Sequence, residues 1–287
     1  MKIVTDCTAY MLAEELEMFG IAQVPLYIRF PESEMSATEI DADDFYNRLE
    51  AMRPAIPTTA QPSSGLFETL YREIAQKDKT ILSIHISSGL SGTINSARMG
   101  AQQAAPDVDV TPWDTLTLSG GERFQVLAAA LGNQAGWTMQ AIQQRMAEIR
   151  EQTELAFTLD TLEYLERGGR IGRVQALLGS LLKLKPVISV EHADGKYNNL
   201  AKCRTIPQAL TTITEHFATI YQNTPVWATV FHGRFLTGAE ALTKQLGEKL
   251  NIARLEMTRV SPVLGVHTGP GMVGAVIMPM KLMEDLL

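Results

Sequence analysis

In the first half of the chain, short apolar runs alternate with stretches whose apolar residues recur at helical spacing. The predicted strands are Lys2–Asp6, Ala22–Phe30, Thr80–Ile86 and Val108–Trp113. The predicted helices begin after Thr8, at Asp41 or Asp43, at Ser63 or Ser64, near Gly92, and then span Gly121–Asn133 and Met139–Gln152. This alternation predicts a mostly parallel sheet with helices on both faces.

The pattern changes near residue 153. The predicted elements there are a strand at Thr153–Asp160, a short helix ended by glycine, a helix over VQALLGSLL, two strands around Asp194 and Gly195, helices at Ile206–Tyr221 and Gly238–Leu250, and strands at Val226–His232, Ala253–Arg259 and Met272–Met278. The Asp-Gly turn indicates an antiparallel hairpin. We therefore expect an α/β fold with an N-terminal α/β domain over residues 1–153. A C-terminal α+β domain with a mixed or antiparallel sheet is expected over residues 154–287.

Composition limits the classes of function. The 287-residue chain carries a net charge of −7, which argues against nucleic acid as a partner because phosphate binding favours a basic face. Cys7 and Cys203 lie far apart in sequence, so free thiols in a reducing compartment are expected. The N-terminus has no signal-peptide pattern, and no apolar run approaches the ~18 residues of a transmembrane segment. The expected location is the cytoplasm.

A Ser/Gly loop within Ile81–Ala97 is the first candidate for a binding site. It places Ser87, Ser88, Ser91 and Thr93 between glycines, where a strand gives way to a helix. Free backbone N–H groups at a helix N-terminus favour an anion. Ser91 stands where a helix N-cap would, so a purely capping role remains the alternative.

Three further segments offer polar groups for the same ligand. Thr59 follows a proline turn, and ligands in open α/β sheets gather in such loops. Arg170 follows two glycines, and its planar guanidinium suits a carboxylate or phosphate. His267 is expected in a tight loop before the last strand, whereas His85 is expected in the core. A capped turn and a solvated arginine are the alternatives at Thr59 and Arg170.

Several catalytic signatures are missing from the sequence. The Ser/Gly loop is neither a GK[ST] phosphate loop nor a GxGxxG fingerprint. The sequence contains no GxSxG nucleophile turn, and no HExxH or CxxC spacing indicates a metal site. A stand-alone hydrolase or an acyl or phosphoryl transferase using Ser91 and His267 remains open. Such an enzyme would also need an acid to orient the histidine.

Taken in order, these segments resemble the DegV family of fatty-acid-binding proteins. ISSGLSGTINSA is similar to the family's S-S-G-L-S-G-T-x-x-S-A, and GVHTGPG to its G-x-H-T-G-P-G. TDCTAYM, TAQPS, DTLEYLERGGRIGR and LLGSLLKLKPVISVEHADGK resemble further family segments, so the similarity spans almost the whole chain. The chain departs from the family pattern at Cys7, Tyr10, Ala60 and Gly172, where Ser, Asp, Ser and Ser are usual.

The resemblance implies a lipid-binding protein rather than an enzyme. A palmitate-like long-chain fatty acid would lie between the two domains, with its carboxylate held by Thr59, Ser91, Arg170 and His267. The acyl tail would occupy an apolar tunnel, and no cofactor is implied. A separate ATP-dependent fatty acid kinase would phosphorylate the carboxyl for phospholipid synthesis. Chain length, a sensor role in place of a carrier role, and transient membrane contact remain open.

Overall fold

The computed structural model describes residues 1–177 and 184–287. The strands are β1 (Lys2–Asp6), β2 (Ala22–Val24), β3 (Tyr27–Arg29), β4 (Glu34–Ser36), β5 (Thr58–Ala60), β6 (Thr80–His85), β7 (Asp109–Asp114), β8 (Glu154–Thr158), β9 (Lys185–Val190), β10 (Tyr197–Cys203), β11 (Val226–His232), β12 (Ile252–Arg259) and β13 (Val273–Pro279). The helices are α1 (Ala13–Met18), α2 (Ala42–Ala51), α3 (Ser64–Ala75), α4 (Thr93–Ala104), α5 (Gly120–Gln134), α6 (Met139–Gln152), α7 (Glu163–Arg167), α8 (Ile206–Tyr221), α9 (Leu236–Lys249) and α10 (Pro262–Thr268). Short 3₁₀ turns occur at Cys7–Ala9, Gly172–Leu177 and Met280–Leu282.

The first sheet has the strand order β2-β1-β6-β7, and all of its pairs are parallel. Alternate side chains of its strands enter different apolar clusters, because successive side chains of a strand point to opposite faces. Val4 and Ile81 pack with helices α3 and α4, whereas Ile3 and Leu82 join a cluster that includes α5. The predicted parallel sheet with helices on both faces is confirmed.

The second sheet is mixed, with the strand order β10-β9-β8-β13-β11-β12. Only β11 and β12 pair in parallel among its described strands. Along β13, Val273, Ala275 and Ile277 face a cluster formed with α8 and α9, while Val276 and Met278 face the cluster that includes α5. This confirms the mixed sheet predicted for the second half, including the β9–β10 hairpin.

A third sheet was not predicted from the sequence. It is antiparallel, has the order β4-β3-β5, and is built from strands of only three residues each. The predicted strand Ala22–Phe30 is divided into β2 and β3 around Pro25, which has no N–H to donate to a ladder. Thr8 does not cap a helix but lies in a 3₁₀ turn, and α1 begins later.

The helix predicted over VQALLGSLL falls largely outside the described residues. Its first four residues lie in the 3₁₀ turn Gly172–Leu177. The domain boundary at residue 153 stays a prediction. The first sheet ends before it and the second begins after it, but the largest apolar cluster extends from Ile3 to Met283.

The Ser/Gly loop is joined to the β9–β10 hairpin by a contact that requires glycine. Ser87 Oγ donates to the carbonyl of Gly195 at 2.9 Å, and Gly195 has a φ of +63°. A Cβ at Gly195 would lie 1.9 Å from Ser87 Oγ. The hairpin therefore approaches the loop closely only because position 195 has no side chain.

We predict that Gly195→Ala lowers the free energy of unfolding by about 1–3 kcal/mol, because alanine is strained at positive φ. Gly247→Ala is the matched control, since a Cβ there meets no atom within 4 Å and the residue is exposed in α9. This control should raise the free energy of unfolding by about 0.5–1 kcal/mol. Urea denaturation of both variants measures the effects, and an unchanged midpoint for Gly195→Ala would contradict the prediction.

Candidate functional site

The four side chains singled out from the sequence line one cavity. Thr59, Ser91, Arg170 and His267 share its wall with Thr8 and with apolar residues that include Leu26, Leu90, Leu118 and Leu264. Thr59 and Ser91 come from the first half of the chain, and Arg170 and His267 from the second. Polar groups 208 residues apart in sequence are thus brought to one place. Their role as ligands of a bound molecule stays a prediction.

His267 lies in the last turn of α10, not in the tight loop expected from the sequence. The helix begins after Ser261 with Pro262 in its first turn, and it ends at Gly269, which has a φ of +73°. Proline at the start and glycine just past the end are typical of a short helix, so this signal was present in the sequence. The helix directs the imidazole towards β5.

Thr59 lies on β5, where it pairs with Ile28 of β3, rather than in a capped turn. Its Oγ1 is 2.8 Å from His267 Nε2, which joins the third sheet to α10. A glycine also fixes the ring position, because a Cβ at Gly168 would lie 2.2 Å from His267 Nδ1. His267 is therefore held between a strand hydroxyl and a backbone that carries no side chain.

The imidazole of His267 is held neutral. Burial, followed by the positive charge of Arg170, lowers the pKa of His267 to about 3. A neutral imidazole has one donor and one acceptor nitrogen, so it offers a hydrogen bond without a second positive charge. Its Nδ1 has no hydrogen-bond partner among the described residues.

Arg170 follows α7 and the glycine pair, and its side chain is half-buried. Its Nη1 donates to the carbonyl of Gly168 at 2.8 Å, and its Nε to that of Leu90 at 3.4 Å. Within residues 1–177 and 184–287, no carboxylate lies within 4.0 Å of the guanidinium. Arg173, three residues further along the chain, instead pairs with Asp194 at 2.8 Å on the surface. Arg170 is thus a cation in the cavity wall with no ion-pair partner among the described residues, and its guanidinium has the planar shape that suits a carboxylate or phosphate.

Ser91 is not the N-cap of α4, since that position is Gly92, which makes no side-chain capping bond. Ser91 Oγ lies 2.9 Å from Thr93 Oγ1 and accepts from Thr93 N at 3.3 Å. The other hydroxyls of the loop have different surroundings, because Ser87 bonds to Gly195 and Ser88 is exposed. Ser91 is the one among these serines that lines the cavity.

An apolar path leads away from the polar groups. A second cavity shares Leu118, Tyr197 and Leu264 with the first and continues to Phe157 and Phe231. The two cavities measure about 30 Å³ and 10 Å³, which is room for water-sized groups. Side chains must therefore move apart before an acyl chain can pass, and a continuous tunnel stays a prediction.

Sequence reasoning missed Thr8 and the acids behind it. Thr8 lines the cavity, and its Oγ1 lies 2.6 Å from Asp6 Oδ1 and 2.7 Å from Glu122 Oε2. Asp6 ends a parallel strand, and ligand sites form beyond the carboxyl ends of such strands. The position of Asp6 at the end of a strand was therefore a sequence signal for a nearby site. Thr8 and Glu122 are 114 positions apart in sequence, so no local pattern predicts their contact.

Metal ligation and membrane insertion are two further properties on which the described residues bear. In the part of the chain that the structure describes, no group of three or more His, Cys, Asp and Glu side chains is placed to hold a metal ion. No described helix combines the length and the apolar character needed to cross a bilayer.

The chain is similar to known proteins along almost its entire length. Residues 1–280 match the model of a family described as uncharacterised proteins of the DegV family. A DegV domain-containing protein of Streptomyces coelicolor is 36% identical over 278 residues, which cover 96% of this chain and 97% of the relative. A structure of a DegV family protein from Thermus thermophilus, described as binding fatty acid, has a TM-score of 0.90 and 30% identity, with 97% and 99% of the two chains covered. DegV from Bacillus subtilis, described as a fatty acid binding protein, has a TM-score of 0.86 and 30% identity, with 97% and 98% covered.

We predict that the imidazole of His267 does not titrate between about pH 5 and pH 8, because its lowered pKa keeps it neutral over that range. Nitrogen-15 NMR of labelled protein would follow both ring nitrogens. His267→Gln assigns the signal by its disappearance. A midpoint of the His267 signal near the ordinary histidine value would contradict the burial and charge described above.

Proposed function

The chain belongs to the DegV family, and from this premise we propose that it binds a long-chain fatty acid with the carboxylate in the cavity of Thr59, Ser91, Arg170 and His267. One observation carries the proposal. Four polar side chains converge on a cavity whose remaining wall is largely apolar. An acid with a long apolar tail has both of the properties that such a wall favours. The two solved relatives described as fatty-acid-binding support the same ligand class.

The head group needs both charge and donors, because a buried carboxylate without partners is costly. In the proposed complex Arg170 supplies the positive charge, and Ser91 and Thr59 supply hydroxyl donors. With one donor nitrogen, neutral His267 donates either to the carboxylate or to Thr59 Oγ1, whose proton is then free for the carboxylate, and in both cases it adds no second positive charge. These groups come from residues 1–153 and 154–287, so the proposal places the ligand between the two proposed domains.

The acyl tail provides the affinity in this proposal. Burial of a methylene contributes about 0.8 kcal/mol, so a chain of about 14 such groups contributes roughly 11 kcal/mol before entropic costs. The tail would follow Leu118, Tyr197 and Leu264 towards Phe157 and Phe231. Since those side chains nearly fill the space, the ligand would select a state in which they have moved apart.

We further propose that the chain presents the bound carboxyl to a separate ATP-dependent kinase in the cytoplasm. The family resemblance implies this role, and the free, buried Cys7 and Cys203 are compatible with a reducing compartment. A lipid sensor would share the ligand and differ in its partner. Formation of acyl phosphate by an ATP-binding partner only in the presence of this chain would identify the carrier.

The hydrolase alternative requires Ser91 and His267 to act on each other. Ser91 Oγ instead contacts Thr93 Oγ1, and His267 Nε2 contacts Thr59 Oγ1. Among the described residues, no carboxylate hydrogen bonds to His267 Nδ1 to orient the ring as in a catalytic triad. These contacts favour ligand binding over nucleophilic catalysis.

We predict that protein purified from a lipid-containing host carries a long-chain fatty acid. Mass spectrometry of the denatured protein would detect it. A ligand-free sample should gain the mass of one added palmitate in a native spectrum. If the spectrum shows no fatty acid and does not change when palmitate or an unsaturated analogue is added, the proposed function is wrong.

We predict that Arg170→Ala weakens palmitate binding by about 2–5 kcal/mol, because the carboxylate loses its charged partner in a buried site. Arg173→Ala is the matched control, since Arg173 lies in the same segment but pairs with Asp194 on the surface. Calorimetry on ligand-free protein measures both affinities. Equal affinities for Arg170→Ala and Arg173→Ala would refute the role of Arg170.

A further inference from the structure

A cluster of buried polar side chains lies directly behind the cavity. It consists of Asp6 at the end of β1, Thr8 in the following 3₁₀ turn, His85 at the end of β6 and Glu122 in the first turn of α5, and we term it the buried acid cluster. All four side chains have no solvent exposure. None of the four is among the proposed head-group ligands, although Thr8 also lines the cavity.

The contacts of Thr8 set the number of protons in this cluster. Its hydroxyl oxygen is within hydrogen-bond distance of both Asp6 Oδ1, at 2.6 Å, and Glu122 Oε2, at 2.7 Å. A hydroxyl has one proton, and ionised carboxylates only accept hydrogen bonds. Both contacts are satisfied together only if one acid is protonated and donates to Thr8 Oγ1, while Thr8 donates to the other.

Asp6 has the surroundings of the ionised acid. It accepts from Thr8 N at 3.0 Å and from Ile86 N at 3.1 Å, and His85 Nδ1 lies 3.1 Å from its Oδ2. Burial raises the pKa of Asp6, but the hydrogen bond and charge of His85 and the bonds from Thr8 outweigh burial, and the pKa lies below its ordinary value.

Glu122 has the surroundings of the protonated acid. Its Oε1 has no hydrogen-bond partner among the described residues, and no cation contacts its carboxyl group there. Burial, followed by the negative charge of Asp6, raises the pKa of Glu122 well above its ordinary value.

We propose that Glu122 carries a proton in the folded protein and donates it to Thr8, so that the cluster behind the cavity holds one ionised carboxylate instead of two. Glu122 would then be a positioning residue: it fixes Thr8 in the cavity wall and spares an incoming carboxylate the repulsion of a second buried anion. This last consequence rests on the proposed function, whereas the protonation of Glu122 does not.

The groups that face Glu122 explain why the proton stays. From β1 and the 3₁₀ turn it meets Asp6, Thr8 and the thiol of Cys7, and Asp114 at the end of β7 adds a further negative charge. His85 of β6 contacts Asp6 and not Glu122. Neighbouring Arg123 pairs with Glu15 and Glu256 instead. Among the described residues, no positively charged group contacts Glu122, so an ionised Glu122 would have no counter-ion.

Denaturation of ligand-free protein as a function of pH tests the proton. When the pKa of an acid is higher in the folded than in the unfolded state, the free energy of unfolding falls as the pH rises from the unfolded pKa, 4.5 for Glu122, towards the folded pKa. The ratio of the unfolding constants of wild type and Glu122→Gln should therefore rise by up to about tenfold per pH unit above pH 5 and then level off. Glu248→Gln, which changes an exposed acid in α9, should give a ratio to wild type that is constant with pH.

A flat ratio for Glu122→Gln would overturn the proposal. If Glu122→Gln does not fold, carbon-13 NMR of wild-type protein with labelled glutamate side chains decides the matter at pH 7. A carboxyl signal at the protonated position is expected, and ionised signals alone would overturn the proposal.

The effect on the cavity is tested by measuring palmitate affinity of wild type and Glu122→Gln at each pH, because the titration of the ligand cancels in the ratio. The affinity of wild type relative to the variant should fall from the pH at which the unfolding ratio levels off, and should be constant below it. If the relative palmitate affinity changes with pH while the unfolding ratio does not level off, the ionisation of Glu122 is not coupled to ligand binding. The same conclusion follows if the unfolding ratio levels off while the relative affinity stays constant. Absence of palmitate binding to both proteins at every pH contradicts the proposed function, while the unfolding ratio still decides the protonation of Glu122.

Discussion

The arrangement of charge around Arg170 is the constraint on which the cavity depends. The guanidinium contacts two backbone carbonyls, faces an imidazole that is neutral, and meets no carboxylate in the described chain. A half-buried cation of this kind favours an anion from outside the protein. The neighbouring hydroxyls and His267 add hydrogen-bonding groups without adding charge, so a single carboxylate would balance the charge in the proposed complex.

Three parts of the fold maintain this arrangement. The short sheet that contains β5 positions Thr59, α10 positions His267, and the β9–β10 hairpin holds the Ser/Gly loop through Gly195. Behind them, the buried acid cluster links β1, β6 and α5 to Thr8 in the cavity wall. In the proposed complex, the acyl tail would lie among the apolar residues between the two larger sheets once their side chains have moved apart.

Much of this could be predicted from the sequence where the signals are local. Alternating apolar runs predicted both larger sheets, and the resemblance of four segments to one family predicted that Thr59, Ser91, Arg170 and His267 share a site. β4 and β5 have three residues each, and α10 has seven, only about two helical turns. A three-residue strand or a two-turn helix shows no clear hydrophobic period, so the sequence pattern alone predicts loops at Thr59 and His267. The neutral state of His267 and the contact of Thr8 with Glu122 depend on tertiary burial, which no local pattern contains.

The most direct measurement is a crystal structure of the protein grown with palmitate. We expect a carboxylate within hydrogen-bond distance of the Arg170 guanidinium and Ser91 Oγ, with the acyl chain passing between Leu118, Tyr197 and Leu264. A carboxylate bound away from Arg170, or a tail that runs over the surface, would contradict the proposed binding mode.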